Sequence, residues 1–272
     1  MQNGSRKPAD LGVVLSRLKT FHLDADSIAD VVAFGERAIP ALRIILFARE
    51  PDGFHQVRCR AAEALSLLGA HDILEEFLRI PRRGDAVERL GDDVVMSAAA
   101  RAIAHRKDAK TFAFLSELAT THPLNGIIAG LASFGLADAI PILIDALDED
   151  EVRVAAEAAL ISFGPGARPY LLDAAQKFKS VNDPSQSQLR KCRSILLLLG
   201  EIVLDPSDAE RIRSFMTSND VQTSLLACRV ALRSTFKPAQ SDARARLTYL
   251  RSRASWLERL QIDQYLDSPT DQ

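Results

Sequence analysis

An all-α array of about seven stacked helix pairs is the fold this sequence predicts, and three observations predict it. The composition is helical: Ala and Leu abound, aromatics make up only 6%, and no stretch alternates apolar and polar residues as a half-buried strand would. The chain repeats itself: "EVRVAAEAALISFG" (151–164) is a near-copy of "HQVRCRAAEALSLLG" (55–69). Glycine and proline punctuate it at matching places, which turns a periodic pattern into helix–turn–helix units.

With the Leu four residues before each Gly as the frame, the repeat recurs at Val31, Leu65, Ile103, Leu131, Leu160, Leu196 and Leu232. The intervals are 34, 38, 28, 29, 36 and 36 residues. A cap helix over 9–21 precedes the array, and "DAD" (24–26) caps the helix that ends in "VVAFG". Each first helix carries apolar residues at helical spacing, as in Val152, Ala156, Ala159, Leu160 and Phe163. Gly35, Gly69, Gly135, Gly164 and Gly200 close these helices, while Lys107 and Phe236 stand in the glycine position of two degenerate copies. Pro40, Pro141 and Pro169 open second helices, where a missing N–H costs nothing. The acidic run "DED" (148–150) favours the N-terminus of the helix that follows. Last comes one helical segment, 241–260, with a core stripe at Ala243, Leu247, Leu250, Ala254 and Leu257, and with Trp256 in the cap over the final repeat. A pair cannot bury its own apolar faces, so the pairs must stack. Ala156→Leu is therefore expected to overpack a seam.

The pattern V-R-x-x-A-A-x-A-L-x-x-x-G followed by A-x-P-x-L-x-x-x-L resembles the HEAT repeat, in the short bacterial form described in phycobilisome lyases. The likeness covers residues 24–240 and is strongest around Gly69, Gly135 and Gly164. It implies a right-handed α-α superhelix with a cap helix in 1–23, repeats over 24–240, a capping helix in 241–266 and a disordered tail in 267–272. It also implies use as a binding scaffold whose second helices line the concave face. Two further readings come with it: a subunit of a phycobilin-lyase-like enzyme acting on a partner protein, and a nucleic-acid-binding helical-repeat protein.

The residues themselves offer little chemistry. His22, His55, His71, His105 and His122 form no HExxH or HxxxH pair, and none is followed by Glu, as in metal-dependent hydroxylases built on such repeats. There is no Gly-rich phosphate loop with Lys and no GxSxG. "DEDE" (148–151) lacks the frame of a calcium loop, and Cys59, Cys192 and Cys228 form no CxxC. No catalytic residue, metal site or cofactor is expected, and a non-catalytic interaction scaffold is the leading reading. The apolar run near the N-terminus is too short for a signal-peptide core, and "ILLLLGEIVL" (195–204) is too short to span a bilayer, so a cytoplasmic monomer is expected.

Charge is segregated. Residues 1–110 carry a net +1, 111–175 a net −7, 176–260 a net +7 and 261–272 a net −3. The basic third points to a protein partner with an acidic segment rather than to nucleic acid, since aromatics do not interleave with its arginines. Arg211, Arg244 and Arg251 are the residues expected to face that segment.

Overall fold

The computed structural model describes residues 10–18, 26–49, 55–81, 84–179, 181 and 183–267, and within these the protein is all-α. The helices are α1 (Leu11–Leu18), α2 (Asp26–Val32), α3 (Ile39–Phe47), α4 (His55–Leu67), α5 (His71–Leu78), α6 (Ala86–Ile103), α7 (Ala109–Thr121) and α8 (Asn125–Ala132). They continue as α9 (Ala139–Asp145), α10 (Arg153–Phe163), α11 (Arg168–Lys179), α12 (Gln186–Leu199), α13 (Pro206–Arg213), α14 (Val221–Arg233), α15 (Lys237–Arg251) and α16 (Trp256–Asp267). The chain divides into two compact units, Met1–Phe134 and Gly135–Gln272.

Each of the seven frame residues lies on a first helix: α2, α4, α6, α8, α10, α12 and α14. In the first unit α2, α4, α6 and α8 pack in succession, with α3 and α5 against each other and α7 on α8. In the second unit α10, α12 and α14 pack in succession, and α9, α11, α13 and α15 form the neighbouring row. The near-copies bury matching residues: Ala61, Ala64 and Leu65 in α4, and Ala156, Ala159 and Leu160 in α10. Ala156 has no exposed surface, so Ala156→Leu should destabilise the second unit by about 1–3 kcal/mol. Hydrogen-exchange protection should fall first in α9, α10 and α12, because stacked repeats couple mainly to neighbours. An even loss across every helix would contradict that coupling.

The turns follow their residues. Gly35, Gly69, Gly135 and Gly164 all have positive φ, the conformation that ends a helix without a Cβ clash. In the degenerate copy Lys107 adopts it too, at φ 53°. Its ammonium then donates to the carbonyl of Ser133 at 2.6 Å, capping the C-terminus of α8. It also sits 4.8 Å from the Phe134 ring centroid. These contacts offset a left-handed backbone that costs a non-glycine residue about 1–2 kcal/mol. Gly200 departs from the expectation and stays right-handed, at φ −67°.

The repeated Val-Arg dipeptide has a structural task. Arg58 Nε donates to the Leu46 carbonyl at 2.9 Å, and Arg153 Nε donates to the Leu147 carbonyl at 3.2 Å. Each arginine satisfies a carbonyl at the C-terminal end of the preceding second helix or, for Leu147, in the 3-10 turn Ala146–Asp148 that continues α9, where helices leave acceptors unpaired and favour cations. Arg60 does the same for α1, donating to the Leu18 carbonyl at 2.8 Å.

At the chain ends one expectation extends beyond the described residues and one is revised. The cap helix read over 9–21 is the helix Leu11–Leu18 where the structure describes it; residues 1–9, 19–25 and 268–272 lie outside the described residues, and with them all of the expected tail but Asp267, which ends α16. The segment 241–260 is not one helix: α15 stops at Arg251 and α16 starts at Trp256. Its stripe is buried through Ala243, Leu247, Leu250 and Ala254, but the break rotates Leu257 outward to 61% exposure. Trp256, expected within the cap, is 76% exposed, and α16 is seated by Ile262 instead.

Candidate functional site

The second unit carries an open cleft of about 350 Å³ bounded by α9, α11 and α12. It exists because α11 has two apolar stripes. Leu171, Leu172 and Ala175 enter the core, while Tyr170, Ala174 and Phe178, four residues apart, line the cleft. Ile144 of α9 and Ile195 of α12 complete the apolar floor. Phe178 is fixed from behind by Phe215, with ring centroids 6.4 Å apart and the rings stacked.

The rim is charged and internally paired. Lys191 reaches Asp145 at 3.1 Å and Asp148 at 2.8 Å, tying α12 to the end of α9. Asp173 accepts from Arg211 at 2.7 Å. Cys192 lies at the base, and burial pushes its thiol up to about 12, so it remains a neutral thiol near neutrality. The cleft thus offers an apolar floor and fixed charges at its edge. Among the described residues no group of three or more His, Cys, Asp or Glu is placed to hold a metal ion, and no helix is long and apolar enough to cross a membrane.

The three arginines picked out from the sequence do not converge on this cleft alike. Arg211, on α13, touches its wall through Asp173. Arg251, at the end of α15, is held by both carboxylate oxygens of Asp263 in α16, at 2.6 and 3.1 Å. Arg244 is exposed on α15 and makes no ion pair among the described residues. Tyr170, Phe178 and Ile144 were not among the candidate residues. The second stripe of α11 was their signal, since a helix with one buried face has no need of Tyr170, Ala174 and Phe178 in register.

The segregated charges meet within the fold. Asp145, Asp148, Asp150 and Asp173 of the acidic middle pair with Lys191, Arg190 and Arg211 of the basic third. Near the C-terminal repeats Arg193 holds Asp220, which also caps α14 by accepting from the Thr223 amide at 2.8 Å.

No family profile matches the chain, and no curated protein matches it. Among solved structures it is similar to the complex of CpcE and CpcF of phycocyanin lyase from Nostoc sp. PCC7120. That match has a TM-score of 0.37 at 19% identity and covers 98% of this chain and 97% of the other.

Proposed function

We propose that the protein is a non-catalytic interaction scaffold that holds an apolar side chain of a partner protein in the cleft between α9, α11 and α12. The observation that supports this most is the second apolar stripe of α11. Tyr170 is 37% exposed and Phe178 half-buried, in a helix whose core face is already satisfied. An aromatic pair over an apolar floor, with one ring stacked on Phe215, is the kind of surface that anchors a protein segment. An acidic stretch of the same partner, the chemistry expected for Arg211, Arg244 and Arg251, would meet Arg244 first, because Arg211 and Arg251 already hold carboxylates. It would have to compete with Asp173 for Arg211.

The test is site-resolved. A photo-crosslinking phenylalanine analogue at Tyr170 should give a discrete adduct in native lysate, whereas the same analogue at Val154, 76% exposed on α10, should not. Ala174→Arg fills the cleft from a half-buried position, and it should weaken the captured partner at least about tenfold while leaving the helical signal intact. An adduct from Val154 but not from Tyr170, or unchanged affinity in Ala174→Arg, would refute this reading. A tetrapyrrole absorbance on the captured partner would favour the lyase-like alternative over a plain scaffold.

A further inference from the structure

The arginines of the second unit fall into two groups. From Arg153 to Arg233 each pairs with a carboxylate among the described residues, and so does Arg251. Arg244, Arg246, Arg253 and Arg259 make no such pair among the described residues. The carboxylates of the surrounding stretch, 241–263, are already engaged: Asp242 by Arg213, Asp263 by Arg251, and Glu258 by the Ser255 amide and hydroxyl. Positive charge is left uncompensated here.

Neutral groups nevertheless hold three of these guanidinium groups in place. Arg246 and Arg253 both lie over the Tyr249 ring, at 5.3 and 4.7 Å from its centroid. Arg246 Nε also donates to the Ser224 hydroxyl at 3.3 Å, and Arg259 Nε donates to the Ala254 carbonyl at 2.9 Å. Such contacts orient a guanidinium without cancelling its charge, and they leave its terminal N–H groups for an anion. Arg246, Tyr249 and Arg253 follow one another at three and four residues, so cation, ring and cation run in order along the end of α15 and into its turn. Tyr249 is 46% exposed between them. Arg244, two residues before Arg246, lies on the other flank of the helix. An aromatic therefore does stand between arginines of the basic third, where their charge is unpaired.

The make-up of this edge selects its ligand. Phosphates take bidentate contacts from arginine, and bases stack on aromatic rings and guanidinium planes alike. A cationic edge with an interleaved aromatic fits a single strand, whose bases are open to stacking. An acidic polypeptide would use the cations but gain nothing from the ring, and a duplex keeps its base faces inside its own stack. We propose that the edge formed by Arg246, Tyr249 and Arg253, with Arg259 near the start of α16, binds single-stranded nucleic acid. The arginines meet the phosphates, and the Tyr249–Arg253 stack lies under a base. This departs from the partner expected of the sequence and is independent of the cleft.

Labelled oligo-dT and oligo-U, followed by fluorescence anisotropy, test this and separate DNA from RNA as the natural strand. At least one should bind, and its log affinity should fall with log salt at a slope of about 0.7 for each phosphate held. Arg253→Gln should weaken binding and lower that slope by about 0.7. Tyr249→Ala should weaken binding about tenfold, whereas Tyr249→Phe should retain it, because stacking needs the ring and not the hydroxyl. Arg244→Gln, on the other flank, is the control and should leave affinity nearly unchanged. All of these positions are exposed, so the variants should keep the helical signal. Binding of neither strand at low salt overturns the proposal. So does an affinity for duplex DNA or polyglutamate equal to that for the better strand, full binding by Tyr249→Ala, or a loss in Arg244→Gln as large as in Arg253→Gln.

Discussion

Replacing Asp92 with alanine should cost about 3–5 kcal/mol, because it leaves the Arg58 guanidinium buried without its counter-charge. Arg58 is 6% exposed and Asp92 8% exposed, and they pair at 2.9 Å between α4 and α6. Asp92 also accepts from Arg49, so one carboxylate joins the segment after α3 to α4 and α6. Arg58 cannot turn to water, since its Nε is committed to the Leu46 carbonyl and its guanidinium lies 5.6 Å from the Phe77 ring centroid. A hydrophobic replacement of both partners would cost much less than removal of one, because the penalty comes from the orphaned charge. The control is Glu76→Ala, which removes an exposed pair with Arg43 and should change stability by about 0–1 kcal/mol. Urea unfolding followed by circular dichroism gives the difference, and hydrogen exchange should place the loss in α3 to α6. Equal effects for the two variants would mean that the Arg58–Asp92 pair is hydrated in solution.

The repeat frame located every first helix because its signals are local. An apolar stripe at helical spacing and a terminal residue able to take positive φ are both properties of a dozen consecutive residues. Even the degenerate copy at Lys107 was placed correctly, and its left-handed turn is sustained by contacts to Ser133 and Phe134 that lie almost thirty residues on. What the sequence hid depends on such distant partners. The Val-Arg dipeptide was legible as a repeated pair, but the carbonyls of Leu46 and Leu147 that the arginines satisfy belong to the preceding helices. Arg211 and Arg251 stood out as basic residues in a basic third, and their carboxylates, Asp173 and Asp263, are brought to them by the stacking of α11 on α13 and of α15 on α16. The C-terminal break failed for another reason. A heptad-like stripe continues smoothly from Ala243 to Leu257, and nothing as strong as Pro or Gly interrupts the "SRAS" (252–255) that ends α15.

Gly126→Ala is the substitution expected to disrupt the first unit most sharply for its size. Helix α8 begins "NGIIAGLA", with Gly126 and Gly130 four residues apart on the face that meets α6. A methyl group on Gly126 would fall far inside contact distance of the Ser97 carbonyl and Cα, which are main-chain atoms and cannot rotate away. The two helices must then separate, opening the seam lined by Ala99, Ala100, Ile127 and Leu131, all of them buried. We expect a loss of about 3 kcal/mol, at the upper end of what overpacking costs. Gly130→Ala tests the same face at a gentler point, since its Cβ would stand 3.0 Å from the Ala100 carbonyl oxygen and 3.4 Å from the Ala104 Cβ. It should cost about 1 kcal/mol. Gly166→Ala meets nothing within 4 Å, so it should leave stability unchanged or raise it by about 0.4–1 kcal/mol through the unfolded chain. Urea midpoints should fall in the order Gly166→Ala, Gly130→Ala, Gly126→Ala, from highest to lowest. A Gly126→Ala protein as stable as Gly166→Ala would show that α6 and α8 do not approach as closely as described, and the stacking of first helices in that unit would have to be redrawn.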